Sequence, residues 1–334
     1  MQKRFWSLGA ISLAIMLTLN GCAAQATEIP EKTAPLKKEV QWSKDKLKMG
    51  EDGVPLLRVY VDGNIETMDL ESYVEGVLAG EMKNDWPMEA LKAQAILART
   101  FVLKFVEEKD SKYEGADIST DIEEAQAYDA SGVNDRIKQA VGETKGQVLS
   151  WNGELPYSWF HSHSGGKTDY AVEGLGWDKD EPGYTKIAQG TEPESVEDEK
   201  ENAQLKEAAS WKATFTLDEF EKACKKAGAE VDVTGSTKLK IGQKGESGRA
   251  VTLLVDGTEV DAAELRIAIG SKEMRSTLLV TLEIRDGKVY MSGKGYGHGV
   301  GMSQWGAYGM AQDGKTAEEI IRHYFQDTDV QKIW

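Results

Sequence analysis

The chain lacks an excess of positive charge: 40 Lys and Arg stand against 56 Asp and Glu among its 334 residues, a formal net charge of −16. An acidic surface disfavours nucleic acid or anionic lipid as the main partner. A neutral or cationic substrate is compatible with this charge, and so is simple solubility. The charge therefore predicts that no nucleic acid binds, and it names no substrate.

The chain also has no N-terminal apolar run long enough to span a bilayer comfortably, because Phe5–Leu19 is short for that purpose. The run follows two basic residues and ends at Leu19-Asn20-Gly21-Cys22, which resembles a bacterial lipoprotein signal. We predict that residues 1–21 are a signal peptide and that lipidated Cys22 anchors the protein to the outer face of the cytoplasmic membrane. The alternative is a short uncleaved anchor with an incidental cysteine.

Cysteine is scarce, since Cys224 is the only one besides Cys22. A lipidated Cys22 cannot pair with it, so we expect no disulfide. Cys224 follows Phe220 by four positions in a helical pattern and is predicted to be a packed core thiol.

The remaining pattern predicts a flexible tether over residues 22–52 and one domain over residues 53–334. Four turns with β-prone flanks favour antiparallel hairpins, because Asn-Gly and Asp-Gly supply the positive φ that such turns need. They are Asp62-Gly63, Asn152-Gly153, Asp256-Gly257 and Asp286-Gly287.

Helices are predicted between these hairpins. Asp69 and Asp85 are candidate N-caps, with Pro87 in the first turn of the second helix. Thr216 and Thr316, each with Glu three positions later, predict capping boxes. The fold class is therefore α+β, with antiparallel hairpins mixed with helices. The acidic stretch Thr191–Asn202 is predicted to be a solvated loop, either a surface excursion or a divider between two lobes.

Glu81 is the first candidate for chemistry. It follows Val77 by four positions and Val74 by seven, so it lies on the apolar stripe of a predicted helix. The nearby helix C-terminus disfavours negative charge, and both effects raise the pKa of a carboxyl group toward that of a general acid. The alternative is a glutamate that snorkels or caps the helix.

His161 and His163 are the second candidate. If the strand after Asn152-Gly153 extends this far, both rings point to one face and are candidate zinc ligands. A zinc site needs further ligands, and the alternative is a polar pair that lines a groove or bonds the glycine-rich turn.

The third candidate is Gly293–Gly306, which has five glycines between Gly293 and Gly301. Such a segment suits neither a helix nor a strand and lets the backbone approach a ligand closely. Its Tyr296, His298, Gln304 and Trp305 combine hydrogen bonding with aromatic surface, a pairing typical of sugar sites. The order of a phosphate-binding loop is absent. The alternative is a tight structural turn.

Together these segments resemble the stage II sporulation protein D family, whose relatives include amidase enhancers. The resemblance runs from about Val54 to the C-terminus, and the matching pieces occur in the family's order. They are Tyr73–Met82, Trp86–Ala95, Ala98–Thr100, Gln126–Tyr128, His161–Gly166, Ser247–Arg249, Arg275-Ser276 and Gly295–Ala307.

The resemblance implies a lytic transglycosylase that cuts peptidoglycan between N-acetylmuramic acid (MurNAc) and N-acetylglucosamine (GlcNAc), on strands without stem peptides. It places the catalytic glutamate at Glu81 and implies 1,6-anhydro-MurNAc products, in wall remodelling such as sporulation. Two lobes around a glycan groove are an alternative architecture. Positions in the matched motifs imply substrate contacts for Tyr73, Gln94, Arg99, Tyr128, His161, Ser162, Tyr296, His298, Ser303, Gln304 and Trp305.

The sequence departs from the family at Ser164, where some members place a cysteine of a zinc site. Ser is a poor zinc ligand, so we expect no required cofactor, with zinc on His161 and His163 as the alternative. A second interpretation is a non-catalytic wall-binding enhancer of a separate amidase, and a third is a zinc hydrolase. The expected partners are peptidoglycan glycan and, in the second interpretation, a wall amidase.

Overall fold

The computed structural model describes residues 38–334, and its mixture of helices and antiparallel sheets confirms the α+β class. The helices in this part of the chain are α1 (Leu70–Glu81), α2 (Met88–Glu108), α3 (Asp135–Glu143), α4 (Ala171–Leu175), α5 (Glu199–Ala209), α6 (Leu217–Lys226), α7 (Ala262–Ile269), α8 (Gln304–Gln312) and α9 (Ala317–Tyr324). None of these helices is long and apolar enough to cross a membrane. Residues 1–37, including Cys22, lie outside the described residues.

Within residues 38–334 the strands form five small sheets. They are β1 (Lys48–Met49), β2 (Pro55–Val61), β3 (Asn64–Asp69), β4 (Ile118–Ser119), β5 (Gln147–Trp151), β6 (Phe160–His161), β7 (Ser210–Thr216), β8 (Leu239–Ile241), β9 (Thr252–Val255), β10 (Thr258–Asp261), β11 (Leu279–Arg285), β12 (Lys288–Lys294), β13 (Met302–Ser303) and β14 (Thr328–Lys332). The sheet orders are β1-β2-β3 with β4 also on β2, then β10-β9-β8, β11-β12-β7, β13-β6 and β14-β5. The pairs β2–β4 and β6–β13 are parallel, and the other pairs are antiparallel.

Three of the four predicted turns close hairpins. Asp62, Asp256 and Asp286 have φ of 46°, 48° and 50° and join β2 to β3, β9 to β10 and β11 to β12. Asn152 also has a positive φ of 55°, but only the bridge between Trp151 and Glu154 follows it. Strand β5 pairs instead with β14 near the C-terminus. The local turn was therefore predicted correctly, but the partner strand was not.

The predicted helix caps are confirmed at three of four positions. The Asp69 carboxylate accepts a hydrogen bond from Ser72 N, and Thr216 and Thr316 form complete capping boxes. Asp85 does not cap α2, because Pro87 occupies the N-cap and the helix begins one residue later. Proline has no side-chain acceptor, so the first N–H groups of α2 receive no side-chain cap.

The ordered domain begins before residue 53. Val40 and Leu47 are buried in the larger core, and β1 pairs with the start of β2. Residues 38–52 therefore pack on the domain and do not form a tether. Their apolar side chains are few and widely spaced, so no helical or strand period marked them in the sequence.

Two hydrophobic cores organise the part of the chain that the structure describes. The larger core gathers α1, α2, α3, α8 and α9 with the short strands around them. The smaller core is formed by side chains of the β11-β12-β7 sheet, of β9 and β10, and of α6 and α7. It buries Cys224 as predicted, with burial raising the pKa of that thiol to about 12. The acidic stretch is a loop only at first, because α5 begins at Glu199 with Asp198 as its N-cap.

Candidate active site

Glu81 was predicted near a helix C-terminus, and it is the last residue of α1. The segment before Tyr128 lies directly on this end of the helix, where a Cβ on Gly80 would stand 2.6 Å from Tyr128 N. The close approach lets Ala127 N donate to Glu81 Oε1 at 2.8 Å. Gly80 therefore allows the approach that makes Ala127 N one of the two hydrogen-bond partners of the Glu81 carboxyl group.

The second partner comes from the glycine-rich segment. Gln304 is the first residue of α8, and its Nε2 donates to Glu81 Oε2 at 3.2 Å. Ser303 caps this helix by accepting from Gly306 N. The two segments that carry Glu81 and Gln304 are thus joined at the carboxyl group itself.

Burial raises the pKa of the Glu81 carboxyl group, and the two hydrogen bonds, which favour the charged form, offset part of that effect. The side chain is only partly exposed, and it faces a cleft. A carboxyl group with a raised pKa that still has donors for its anion is suited to both releasing and accepting a proton.

Two grooves of this cleft meet at Glu81. The first, which we call the acidic groove, has a volume of about 720 Å³, and four carboxylates of other residues line it together with Glu81. The second, which we call the aromatic groove, has a volume of about 260 Å³. Its walls include Trp86, Ser162, Arg275, Tyr296, Gln304 and Trp305. An elongated ligand has room on both sides of the carboxyl group.

Aromatic rings form much of the second groove. Trp86 and Trp305 lie with ring centroids 4.6 Å apart, and the guanidinium of Arg275 lies 5.0 Å from the centroid of Tyr296. Apolar ring faces beside polar side chains suit a sugar, which has both C–H faces and hydroxyl groups. The lining of the cleft is therefore compatible with a sugar ligand.

Four residues predicted to contact substrate line this cleft: Ser162, Tyr296, Gln304 and Trp305. They come from the two segments that the sequence singled out, residues 161–166 and 293–306. Backbone hydrogen bonds between His163 and Tyr296 in both directions hold these segments side by side.

Four others, Tyr73, Gln94, Arg99 and Tyr128, are not among the residues that line either groove. The Tyr73 hydroxyl donates to Ser119 O at 2.7 Å, and its ring stacks on Tyr128. Arg99 is completely buried and bonds Glu71 and Gln147 O. Gln94 is also completely buried. Tyr73 and Arg99 therefore bond parts of the fold, whereas both side-chain amide atoms of Gln94 have no hydrogen-bond partner among the described residues. Substrate contacts for these four residues stay predictions from the resemblance.

Ser303, His161 and His298 lie behind the cleft surface. Ser303 is buried and donates to Glu192 Oε1 at 2.7 Å, so it supports α8 without facing the cleft. The rings of His161 and His298 are 5.7 Å apart, and both bond the backbone of Val300. Burial, together with Arg266 and Arg249, lowers the pKa of His298 to about 3. Burial, together with His298 and Arg249, lowers the pKa of His161 well below its ordinary value. Both rings are neutral at neutral pH.

The donors around His161 and His163 do not fit a zinc ion. Among residues 38–334, no three His, Cys, Asp or Glu side chains are grouped to hold a metal. Nδ1 of His163 accepts from Gly165 N, and the Ser164 hydroxyl accepts from Gly166 N, so both are engaged in the turn. Zinc usually requires at least three protein ligands, and we derive no step through a metal.

Sequence reasoning missed Glu192 and left Arg275 without a role. Glu192 lies in the acidic stretch, yet its side chain is 6% exposed and accepts from Ser164 N at 2.7 Å as well as from Ser303. No periodicity distinguishes it from the solvated acids around it. Arg275 had a signal, since it belongs to a matched motif, but nothing local indicated that it faces the cleft.

Fold and cleft together define a mixed α+β protein in which Glu81, a partly buried carboxyl group with a raised pKa, stands where two grooves of one cleft meet. A family model described as stage II sporulation protein matches residues 62–151, and one described as a domain of unknown function (DUF8618) matches residues 186–301. Stage II sporulation protein D of Bacillus subtilis is 30% identical over 330 residues, covering 92% of this chain and 88% of that protein. The chain belongs to the stage II sporulation protein D family.

Two further relatives differ in their coverage. An uncharacterised protein of Brachyspira hyodysenteriae is 30% identical over 270 residues, covering 80% of this chain and 67% of that protein. An amidase enhancer of Bacillus subtilis is 29% identical over 290 residues, covering 76% of this chain but 40% of that protein.

Proposed function

We propose that this protein is a peptidoglycan lytic transglycosylase of the cell wall, with Glu81 as its acid and base. The proposal rests above all on one observation. A carboxyl group with a pKa raised by burial stands where two grooves meet, with room for sugar on either side.

In the first step, Glu81 donates its proton to the glycosidic oxygen between MurNAc C1 and GlcNAc O4, and the C1–O bond breaks. The acetamido group of MurNAc stabilises the positive charge that develops at C1. In the second step, the Glu81 carboxylate takes the proton of the C6 hydroxyl, and O6 bonds C1 to close a 1,6-anhydro ring. The proton returns to Glu81, and no water is consumed.

Because no water is activated, this reaction needs one carboxyl group where hydrolytic glycosidases use two. Of the five other carboxylates that line the two grooves, Asp85 is exposed and the other four are engaged. Glu201 accepts a hydrogen bond from Trp86 Nε1 and lies 3.7 Å from Lys83 Nζ. Asp129 and Asp198 accept hydrogen bonds from backbone N–H groups as helix caps, and Glu207 pairs with Arg275 at 2.7 Å. Glu81 has neither a cationic partner nor a capping role.

The decisive experiment is a digest of peptide-free glycan by the soluble domain, wild type against Glu81→Gln, read by mass spectrometry. We expect anhydro-muramic ends from the wild type and a loss of about 10²–10⁴-fold in turnover for the variant, the usual worth of general acid–base catalysis. Running the digest in ¹⁸O-water separates ring closure from hydrolysis, since only hydrolysis incorporates label. Near-normal turnover by folded Glu81→Gln, or labelled products, would refute the mechanism.

A second candidate function is a non-catalytic wall-binding enhancer of a separate amidase. The similarity to an amidase enhancer favours it. In that case purified protein gives no glycan products alone but accelerates peptide release by an added amidase. Glu81→Gln then leaves the acceleration unchanged, which distinguishes the two functions.

We further propose that lipidated Cys22 holds the enzyme on the outer face of the cytoplasmic membrane, facing the wall. Cys22→Ser is expected to move the protein from the membrane fraction to the soluble fraction. We also propose that catalysis needs no cofactor, and turnover should survive a chelator. Loss of turnover on chelation, restored by zinc, would revive the metal-dependent alternative.

A further inference from the structure

The two grooves that meet at Glu81 carry different charge. Apart from Glu81, the acidic groove is lined by four carboxylates and two lysines: Asp85, Asp129, Asp198, Glu201, Lys83 and Lys200. The aromatic groove has one carboxylate besides Glu81, that of Glu207, against Lys83 and Arg275. An anionic group on a ligand is therefore disfavoured in the first groove and tolerated in the second.

Arg275 has donors left for a ligand. Its guanidinium carries five N–H groups, and three are engaged, with Lys272 O at 3.3 Å, Glu207 O at 2.8 Å and Glu207 Oε1 at 2.7 Å. The other two, one on each terminal nitrogen, have no hydrogen-bond partner among the described residues. These contacts and the ring of Tyr296 hold the guanidinium in place.

The proposed substrate alternates in charge along its length. MurNAc bears a lactyl ether that ends in a carboxylate when no stem peptide is attached, and GlcNAc is neutral. We propose that Arg275 binds the lactyl carboxylate of the MurNAc residue that is cleaved, so that this residue occupies the aromatic groove and the adjoining GlcNAc enters the acidic groove. This inference rests on the proposed function and adds the direction in which the glycan crosses Glu81.

Attachment of a stem peptide converts that carboxylate into an amide. The amide has no charge for the guanidinium to pair with, and a charged hydrogen bond is the stronger kind. Arg275 therefore makes the enzyme select strands whose lactyl groups are free, independently of any steric effect of the peptide.

The test measures binding to the full soluble domain carrying Glu81→Gln, so that no turnover occurs. The two ligands are peptide-free glycan oligomers and the same oligomers with every lactyl carboxylate converted to a methyl amide. We expect the charged oligomer to bind about tenfold to a hundredfold more tightly, the ratio that a hydrogen bond to a charged group supports. Adding Arg275→Gln should bring the ratio close to one.

Two matched variants separate this role from a structural one. Glu207→Gln removes the carboxylate that competes for Arg275, and we expect it to tighten binding of the charged oligomer only. Lys200→Gln removes a cation from the acidic groove and should leave the ratio unchanged. If the Arg275–Glu207 pair were merely structural, both of its variants would weaken the two ligands alike.

Equal binding of the two oligomers, or an unchanged ratio in folded Arg275→Gln, overturns the inference. If Arg275→Gln does not fold, Arg275→Lys and Glu207→Gln provide the test. Arg275→Lys keeps the positive charge but loses the planar set of donors of the guanidinium. Glu207→Gln should tighten binding of the charged oligomer, which is the direction opposite to the loss of Arg275. Turnover by the wild type tests the proposed function separately. If the wild type gives anhydro products but the two oligomers bind equally, the proposed function stands and the assigned direction of the glycan is wrong.

Discussion

Gln304 offers the sharpest probe of Glu81, because it bonds the carboxyl group from α8. Its Nε2 donates to Glu81 Oε2 at 3.2 Å, an interaction that favours the charged form and lowers the pKa of Glu81 against the effect of burial. The substitution Gln304→Leu removes this donor and puts an apolar side chain of similar size in its place. The pKa of Glu81 should then rise further.

The sign of the effect on catalysis follows from the order of the steps. Glu81 acts first as an acid, so it must carry a proton in the free enzyme, and kcat/KM falls as pH rises through its pKa. Raising that pKa therefore moves the alkaline limb of the profile to higher pH.

The size of the shift follows from the geometry. Hydrogen bonds to charged groups contribute about 1.5–3 kcal/mol, and a distance of 3.2 Å lies at the long end of the range. Taking about 1.5 kcal/mol, and 1.36 kcal/mol for each pKa unit, the alkaline limb should move up by about one pH unit.

The assay is the pH profile of kcat/KM on peptide-free glycan for wild type, Gln304→Leu and a control on the same helix. Gln312→Leu is the control, since Gln312 ends α8 and bonds Tyr308 rather than Glu81. Its profile should match the wild type. An alkaline limb in Gln304→Leu that stays in place, or moves to lower pH, would show that Glu81 is not the titrating acid or that Gln304 does not act on it.

Three further predictions concern the frame around the cleft. Glu71→Ala leaves the buried guanidinium of Arg99 without its counter-ion, so chemical denaturation should show an unfolding free energy lower by about 3–5 kcal/mol. The KM of the folded fraction should stay at the wild-type value. A change in KM without a change in stability would instead place Arg99 in the substrate site. Gly80→Ala pushes the Tyr128 backbone away and weakens the hydrogen bond from Ala127 N to Glu81. Activity should therefore fall, and the free energy of unfolding should decrease by about 1–3 kcal/mol. The control is Gly142→Ala, which has open space at its Cβ and should be neutral or stabilising. Burial raises the pKa of Glu192, but His163 and the hydrogen bonds to its carboxylate outweigh burial and lower that pKa, so Glu192 contributes stability that is present at neutral pH and lost as pH falls through the pKa. The difference in unfolding free energy between wild type and Glu192→Gln should therefore shrink toward acidic pH. A difference that does not depend on pH would contradict this account.

What the sequence by itself determined is what nearby residues decide among themselves. The positive φ of Asp62, Asp256 and Asp286 and the boxes at Thr216 and Thr316 depend on contacts within about four residues, so the local pattern predicted them. The position of Glu81 on the apolar stripe at a helix end is local in the same sense. The periodicity of α1 sufficed for it.

Only the tertiary structure decided which residues meet at the cleft and which are used inside the fold. Gln304 reaches Glu81 across 223 positions, and Ser303 reaches Glu192 across 111. Motif membership could not separate Gln304 from Arg99, because both are polar residues in matched segments and both are buried. Their contacts assign Gln304 to the site, where it bonds Glu81, and Arg99 to an ion pair with Glu71. Such contacts depend on the packing of distant elements, and a one-dimensional pattern does not contain that information.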